Sequence, residues 1–118
     1  MTRAAQHTRS KYGARKTVVD GITFASGKEA RRYAELKLME RAGAIRDLQL
    51  QPRYELQAGF RDGNGNAVRK IEYVADFYYV EKGGLRVAED VKGVRTDVYK
   101  LKRKLFMARY PEIELREV

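Results

Sequence analysis

Between Arg69 and Lys92 the chain reads as two extended segments joined by a tight turn, with one charge where an apolar residue belongs. The first segment, Arg69 to Glu81, is rich in Tyr, Val and Phe, the residues that suit a pleated, half-buried surface. Lys82-Gly83-Gly84 turns the chain, and Leu85 to Lys92 brings it back. Asp76 interrupts the run Tyr73-Val74-Ala75-Asp76-Phe77-Tyr78-Tyr79-Val80. A charge inside a buried strand is costly unless something compensates it.

The length of the turn identifies the neighbour. With three loop residues Glu81 faces Leu85, and stepping back along both strands sets Asp76 opposite Asp90. Facing Cβ atoms lie roughly 5 Å apart. Two carboxylates at that distance repel, and one pKa rises unless a cation sits between them. Oxygen ligands of this kind suit Mg²⁺ or Mn²⁺. A two-residue loop would put the two aspartates on opposite faces. Asp90-Val91-Lys92 adds the third group, because residues two apart on a strand share a face. Asp90 and Lys92 thus point together, while Glu89 and Val91 point the other way. By itself this Asp-x-Lys triplet is as well explained by a surface ion pair. Asp76 in matching register is what makes it a candidate metal site.

The rest of the chain supplies a frame. Val18 to Phe24 is a short extended piece with a turn at Asp20-Gly21. Ser26-Gly27-Lys28-Glu29 is a capping box that starts a helix running to about Ala42 and stopping at Gly43, with Glu29, Tyr33 and Leu36 on one stripe. Leu48, Leu50, Pro52, Tyr54 and Leu56 alternate with polar residues, as in a strand that Pro52 confines to an edge or breaks at a bulge. Asp62-Gly63-Asn64-Gly65-Asn66 is a hairpin tip. A second helix is predicted from Arg95 to Arg109 with Val98, Leu101, Leu105 and Ala108 as its apolar face and Tyr99 in the packing. Pro111 ends it, and Ile113 and Leu115 suggest a last strand. The order is α-β-β-β-α-β.

Composition narrows the chemistry. The 118 residues fit one domain. The chain has no cysteine and one histidine, His7, which excludes disulfides and thiolate metal sites and leaves no basis for an imidazole-based zinc site or a Ser-His-Asp triad. No apolar run is long enough to span a bilayer, and the basic N-terminus lacks the apolar core of a signal peptide, so a cytoplasmic protein without a membrane partner is expected. The net charge of +9 is clustered. Residues 1–19 carry five basic groups and no acid, residues 20–91 balance, and residues 92–109 carry seven basic groups against Asp97. Such clustering suits a phosphate-binding surface. Residues 1–16 are expected to form a flexible basic arm offering Arg3, Arg9, Lys11, Arg15 and Lys16, with residues 17–118 as the domain. Arg95, Lys100 and Lys104 are the matching candidates on the late helix.

This order of elements, with an acid in the second strand and Asp-x-Lys in the third, resembles the core of PD-(D/E)XK nucleases. The chain is more closely similar to small phage-encoded proteins of that superfamily, and it is related in pattern to the end-cutting nuclease subunit of certain transposons and to Holliday junction resolvases. The matching pieces are Lys11-Tyr12-Gly13, Phe24-Ala25-Ser26-Gly27-Lys28-Glu29-Ala30, Leu50-Gln51-Pro52, Tyr73-Val74-Ala75-Asp76-Phe77 and Glu89-Asp90-Val91-Lys92-Gly93. They span the chain from about Lys11 onward. Ala75 stands where the motif's name has proline.

The resemblance implies an α/β, restriction-endonuclease-like αβββαβ core with a mixed sheet flanked by helices. It implies a Mg²⁺- or Mn²⁺-dependent DNA endonuclease, structure-selective or weakly sequence-specific, acting in phage DNA processing or recombination in a bacterial host cytoplasm. Asp76 and Asp90 would ligate the metal, and Lys92 would position or activate the attacking water or neutralise the developing charge. Glu29 matches a helix-1 glutamate that completes such sites; the residues alone make it the acid of the capping box, and both roles can coexist. Gln51 is either an exposed glutamine or a contact to the scissile phosphate or a metal-bound water. The alternative is a phage accessory protein that keeps the fold and binds DNA without cutting it. The implied partner is DNA; a homodimer and a phage-encoded partner protein stay open, since symmetric junction cutting needs a dimer and no residue pattern marks its face.

Overall fold

A computed structural model of the chain describes residues 15–91 and 94–118. The expected roles of Arg3, Arg9, Lys11 and Lys92, and the flexibility expected of the arm up to residue 14, fall outside the described residues. Arg15 and Lys16 are exposed just before the first strand.

Local chemistry sets the first elements. Strands β1 (Thr17–Val19) and β2 (Ile22–Phe24) pair through Asp20-Gly21, whose φ angles of 54° and 76° are the left-handed pair that a two-residue hairpin turn requires. Helix α1 (Gly27–Arg41) starts where the Ser26 hydroxyl accepts the Glu29 amide at 3.1 Å. It ends before Gly43, whose φ of 80° takes the left-handed position after the cap. Glu29, Ala30, Tyr33 and Leu36 are its buried stripe.

Strands β3 (Ile45–Leu50) and β4 (Arg53–Gln57) follow, then β5 (Phe60–Arg61) and β6 (Ala67–Val68) around the tip, then β7 (Ile71–Val74), β8 (Phe77–Glu81) and β9 (Arg86–Asp90). Helix α2 (Asp97–Arg109) and strand β10 (Ile113–Glu117) complete the chain. Among the described residues the main sheet has four strands in the order β10-β9-β8-β3, with β10 parallel to β9 and the other pairs antiparallel. The chain is therefore α/β with a mixed sheet and two helices. No helix of the described residues is long and apolar enough to cross a membrane.

Alternation along β8 and β9 feeds two cores. Phe77, Tyr79 and Val87 pack with Phe24, Tyr33 and Leu36 on the α1 side. Ala88 packs with Leu56, Tyr73, Tyr99 and Phe106 on the α2 side. The β8–β9 loop has the expected three residues. Glu81 donates its amide to Leu85 at 2.8 Å, Gly84 takes a φ of 100°, and Phe77 faces Glu89.

Three expectations need correction. The two long strands read from the sequence are each cut in two. One breaks at Gln51-Pro52, where Gln51 takes a φ of 51°; the other breaks at Ala75-Asp76. The breaks sit side by side, with Gln51 donating to the Asp76 carbonyl at 2.9 Å and Ala75 donating to the Pro52 carbonyl at 3.2 Å. Both strands therefore bend together at a residue without an amide hydrogen. The second correction concerns α2. It begins at Asp97 behind a Thr96 cap rather than at Arg95, and it turns Tyr99 and Phe106 inward. The expected apolar face is outside: Val98 is 63% exposed and Leu101 59%. Aromatic packing decides this, because Phe106 lies in contact with Tyr54, Tyr73 and Tyr110 at centroid distances of 4.9, 5.6 and 5.2 Å. Third, Asp76 does not stand in a regular pair opposite Asp90: β8 begins only at Phe77, which faces Glu89, and the Asp76 amide bonds to the Glu89 carbonyl instead.

The orientation of α2 sets a stability test. Phe106→Ala should cost about 3–5 kcal/mol in urea unfolding, as for other buried aromatics. Leu101→Ala should stay within about 0.5 kcal/mol, as for an exposed site. Equal costs would mean that α2 is rotated from this position.

Candidate active site at the end of the sheet

The site lies where β8 begins and β9 ends. Asp76 stands in the break before β8, so its backbone leaves the regular ladder. Its amide donates to the Glu89 carbonyl at 3.0 Å, although Glu89 is the register partner of Phe77. Two residues of one strand thus oppose one of the other, the pattern of a β-bulge, which re-aims a side chain. Its carboxylate Oδ2 accepts the Val91 amide at 2.7 Å, a bond across the two strand ends. Gln51 is tied to the same point through its own amide, and its left-handed backbone is uncommon for a residue other than glycine.

Asp90, the last residue of β9, is 5% exposed and points to the α2 side. Tyr73 donates its hydroxyl to Asp90 Oδ2. Burial first, and then this carboxylate, push the Tyr73 hydroxyl far above its ordinary pKa, so it stays a proton donor at any physiological pH. Beside it Tyr99 donates to Glu117 at 2.6 Å, and Glu117 is the register partner of Asp90 on β10.

Glu29 comes from the first turn of α1 on the other side of the sheet. It is 6% exposed. Burial raises its pKa, an Ala25 amide opposes the shift, the charge of Asp90 adds to it, and a hydrogen bond with Asp76 again opposes it. The helix cap therefore works with Ala25, one residue before the expected position. Glu29, Gln51 and Asp76 line a small cleft of about 150 Å³ whose apolar wall includes Ile22, Phe24 and Leu50.

Of the sequence-predicted site, the structure brings Glu29, Gln51 and Asp76 into one cleft, while Asp90 stands at the same strand end on the α2 side, near enough for its charge to bear on Glu29. Arg95 is exposed and pairs with Glu117 at 3.2 Å, while Lys100 and Lys104 are exposed on α2. Among the described residues no three acidic or imidazole side chains are spaced to close on a metal ion as they stand. The chemistry of the donors fits one nevertheless. Burial first, with the charge of Asp90 added, raises the Glu29 pKa, and hard oxygen donors suit a hard divalent cation.

Two features escaped the sequence reading. Tyr73 was read only as part of an apolar strand, and nothing in its spacing marks the hydroxyl. Glu89 was read as facing away from the site; it does so, into a built-in ion pair. Arg32 Nε and Nη2 donate to its two carboxylate oxygens at 2.7 and 2.8 Å, and Tyr79 adds a third bond at 2.5 Å. Burial and this carboxylate hold the Tyr79 hydroxyl up to about 12. The legible signal was Arg32 itself, three residues beyond Glu29 on the same side of α1.

A pH test follows from Glu29. Its folded pKa lies above the unfolded value of about 4.5, so its contribution is most favourable below that value and is lost as pH rises through the folded pKa. Without divalent metal, wild-type thermal stability should fall over that window, and Glu29→Gln should flatten the fall. Parallel curves for the two proteins would remove Glu29 from the crowded cluster.

No curated protein and no solved structure matches the chain. Residues 9–118 match one family, described as "Protein of unknown function (DUF1064)". A match over nearly the whole chain places the protein in the DUF1064 family.

Proposed function

We propose that this chain is a metal-dependent endonuclease that hydrolyses phosphodiester bonds of DNA, on a restriction-endonuclease-like core. The observation that carries the reading is the placement of Glu29 and Asp76 in one cleft where β8 begins, with Asp90 at the same strand end and its charge bearing on Glu29. The run α1-β3-β8-β9-α2-β10 supplies the αβββαβ order, with the β4 to β7 excursion inserted between its first two strands.

Asp76, Asp90 and Glu29 would hold Mg²⁺ or Mn²⁺. When bound, the ion would polarise the phosphate and stabilise the charge that builds up as water attacks in line. The chain's own groups do the rest. Tyr73 fixes the rotamer of Asp90, and the Val91 amide fixes that of Asp76. Burial and the charge of Asp90 favour the uncharged form of Glu29, which limits the repulsion within the cluster. Lys92, two residues beyond Asp90, would orient the water or neutralise the phosphorane. Gln51, in the cleft wall, has a side-chain amide suited to a phosphate oxygen. The basic groups at Arg15, Lys16, Lys100 and Lys104 would add affinity that does not depend on sequence.

The test is nicking of supercoiled plasmid and branched DNA with Mg²⁺, Mn²⁺ or EDTA. Wild type should cut only with metal, and Asp76→Ala and Lys92→Ala should each lose about 100-fold or more in rate. A wild type that binds DNA and never cuts would replace this reading with that of a DNA-binding accessory protein.

A further inference from the structure

We propose that the hairpin from Gln57 to Ile71 is a DNA-binding arm that lies in the major groove of a duplex, about one helical turn from the bond that is cut. The placement relative to the cut rests on the nuclease reading above. The binding itself rests on the arm.

Every residue from 57 to 71 is exposed. That includes Phe60 at 48%, Val68 at 37% and Ile71 at 37%, apolar side chains that no other layer of the described residues covers. A two-stranded hairpin alone is marginal in water. This one is held by its tip. Asp62 Oδ1 accepts the amides of Asn64 and Asn66, each at 2.9 Å, and the Asp62 amide donates to Asn66 at 2.9 Å. Those amides keep the Asp62 carboxyl below its ordinary pKa. Arg61 Nη1 closes the loop on the Gly65 carbonyl at 2.9 Å, and Gly65 takes the left-handed φ of 82°. The result is an ordered projection with no packing role.

Its chemistry selects the occupant. The arm carries Arg61, Arg69 and Lys70 against one acid, Asp62, whose carboxylate already serves the turn; at the base of the arm Lys70 also pairs with Glu72 at 3.1 Å. Asn64 and Asn66 bring amides to the tip, and Phe60 lies across from Val68. A basic two-stranded ribbon tipped with amides matches the major groove of B-form DNA, which is about 12 Å wide and admits such a ribbon. Arginine and lysine take the phosphates, and asparagine can read base edges. The deep, narrow major groove of A-form RNA excludes it.

Connectivity gives the distance. The arm is carried by β4, which starts at the paired break that holds Gln51 and Asp76, and by β7, which ends there. From Pro52 to Asp62 there are about ten residues, each advancing roughly 3.3 Å, hence about 33 Å. One turn of B-DNA is about 34 Å.

The experiment is fluorescence anisotropy of a labelled duplex of about three helical turns, in EDTA, over a range of salt. Arg61→Ala, Arg69→Ala and Lys70→Ala combined should weaken binding by about tenfold or more and lower the salt slope by about 2 to 3, or about 0.9 for each phosphate contact. The urea midpoint should shift little, since Arg61 loses only its exposed bond to the Gly65 carbonyl and the arm packs against no other layer of the described residues. Duplex RNA of the same sequence should compete poorly. Unchanged affinity and slope, or RNA competing as well as DNA, would overturn the proposal. Because binding is read in EDTA, loss of binding in a protein that never cuts would sink the nuclease reading alone. A plasmid cut normally with binding unchanged in the triple variant would sink the arm alone.

Discussion

The paired break at Gln51-Pro52 and Ala75-Asp76 is the constraint on which the rest of the molecule depends. Pro52 cannot donate to a ladder, and its neighbour Gln51 takes a left-handed backbone that costs on the order of 1 kcal/mol or more. The second strand bends at the same point, because Gln51 bonds to the Asp76 carbonyl and Ala75 to the Pro52 carbonyl. Below the break the strands belong to the four-stranded sheet between α1 and α2. Above it they leave the sheet as β4 and β7 and carry the exposed hairpin. At the break itself, Asp76 is released from the regular alternation and turned toward Glu29.

Two neighbouring acids on β9 show how differently the fold treats buried charge. Glu89 meets a guanidinium in bidentate geometry and a tyrosine hydroxyl, so its charge is matched within the chain. Removing Arg32 would leave that charge uncompensated, an effect on the order of 3–5 kcal/mol for buried pairs. Asp90, one residue later, faces the opposite side, takes a hydroxyl from Tyr73, and adds its charge to that of Glu29. The first arrangement anchors the end of β9 to α1. The second accumulates negative charge at that anchored end, an arrangement that suits a site for a cation rather than a device for stability.

Much of this was visible in the residues. The length of the Lys82-Gly83-Gly84 loop dictated the β8–β9 register, and Ser26 and Gly43 marked both ends of α1. Asp76 stood out because period-two alternation has no place for it. What stayed hidden lies in tertiary packing. Periodicity put Val98, Leu101 and Leu105 inside, yet the aromatic cluster of Tyr54, Tyr73, Phe106 and Tyr110 turns the opposite side of α2 inward. Two long strands looked continuous because the left-handed backbone of Gln51 has no sequence signal beyond the proline that follows it. The Tyr73 hydroxyl could not be assigned either, since its partner is 17 residues away and depends on that bend.

The central claim is that Glu29, Asp76 and Asp90 together form a site for a divalent cation. Thermal and urea unfolding near neutral pH, with and without Mn²⁺, tests it without reference to DNA. The account predicts that Mn²⁺ at 100 times its dissociation constant stabilises wild type by about 2.7 kcal/mol. It also predicts that Asp76→Asn and Asp90→Asn, each folded, lose most of that gain. A wild type indifferent to Mn²⁺, or variants stabilised as much as wild type, would contradict it.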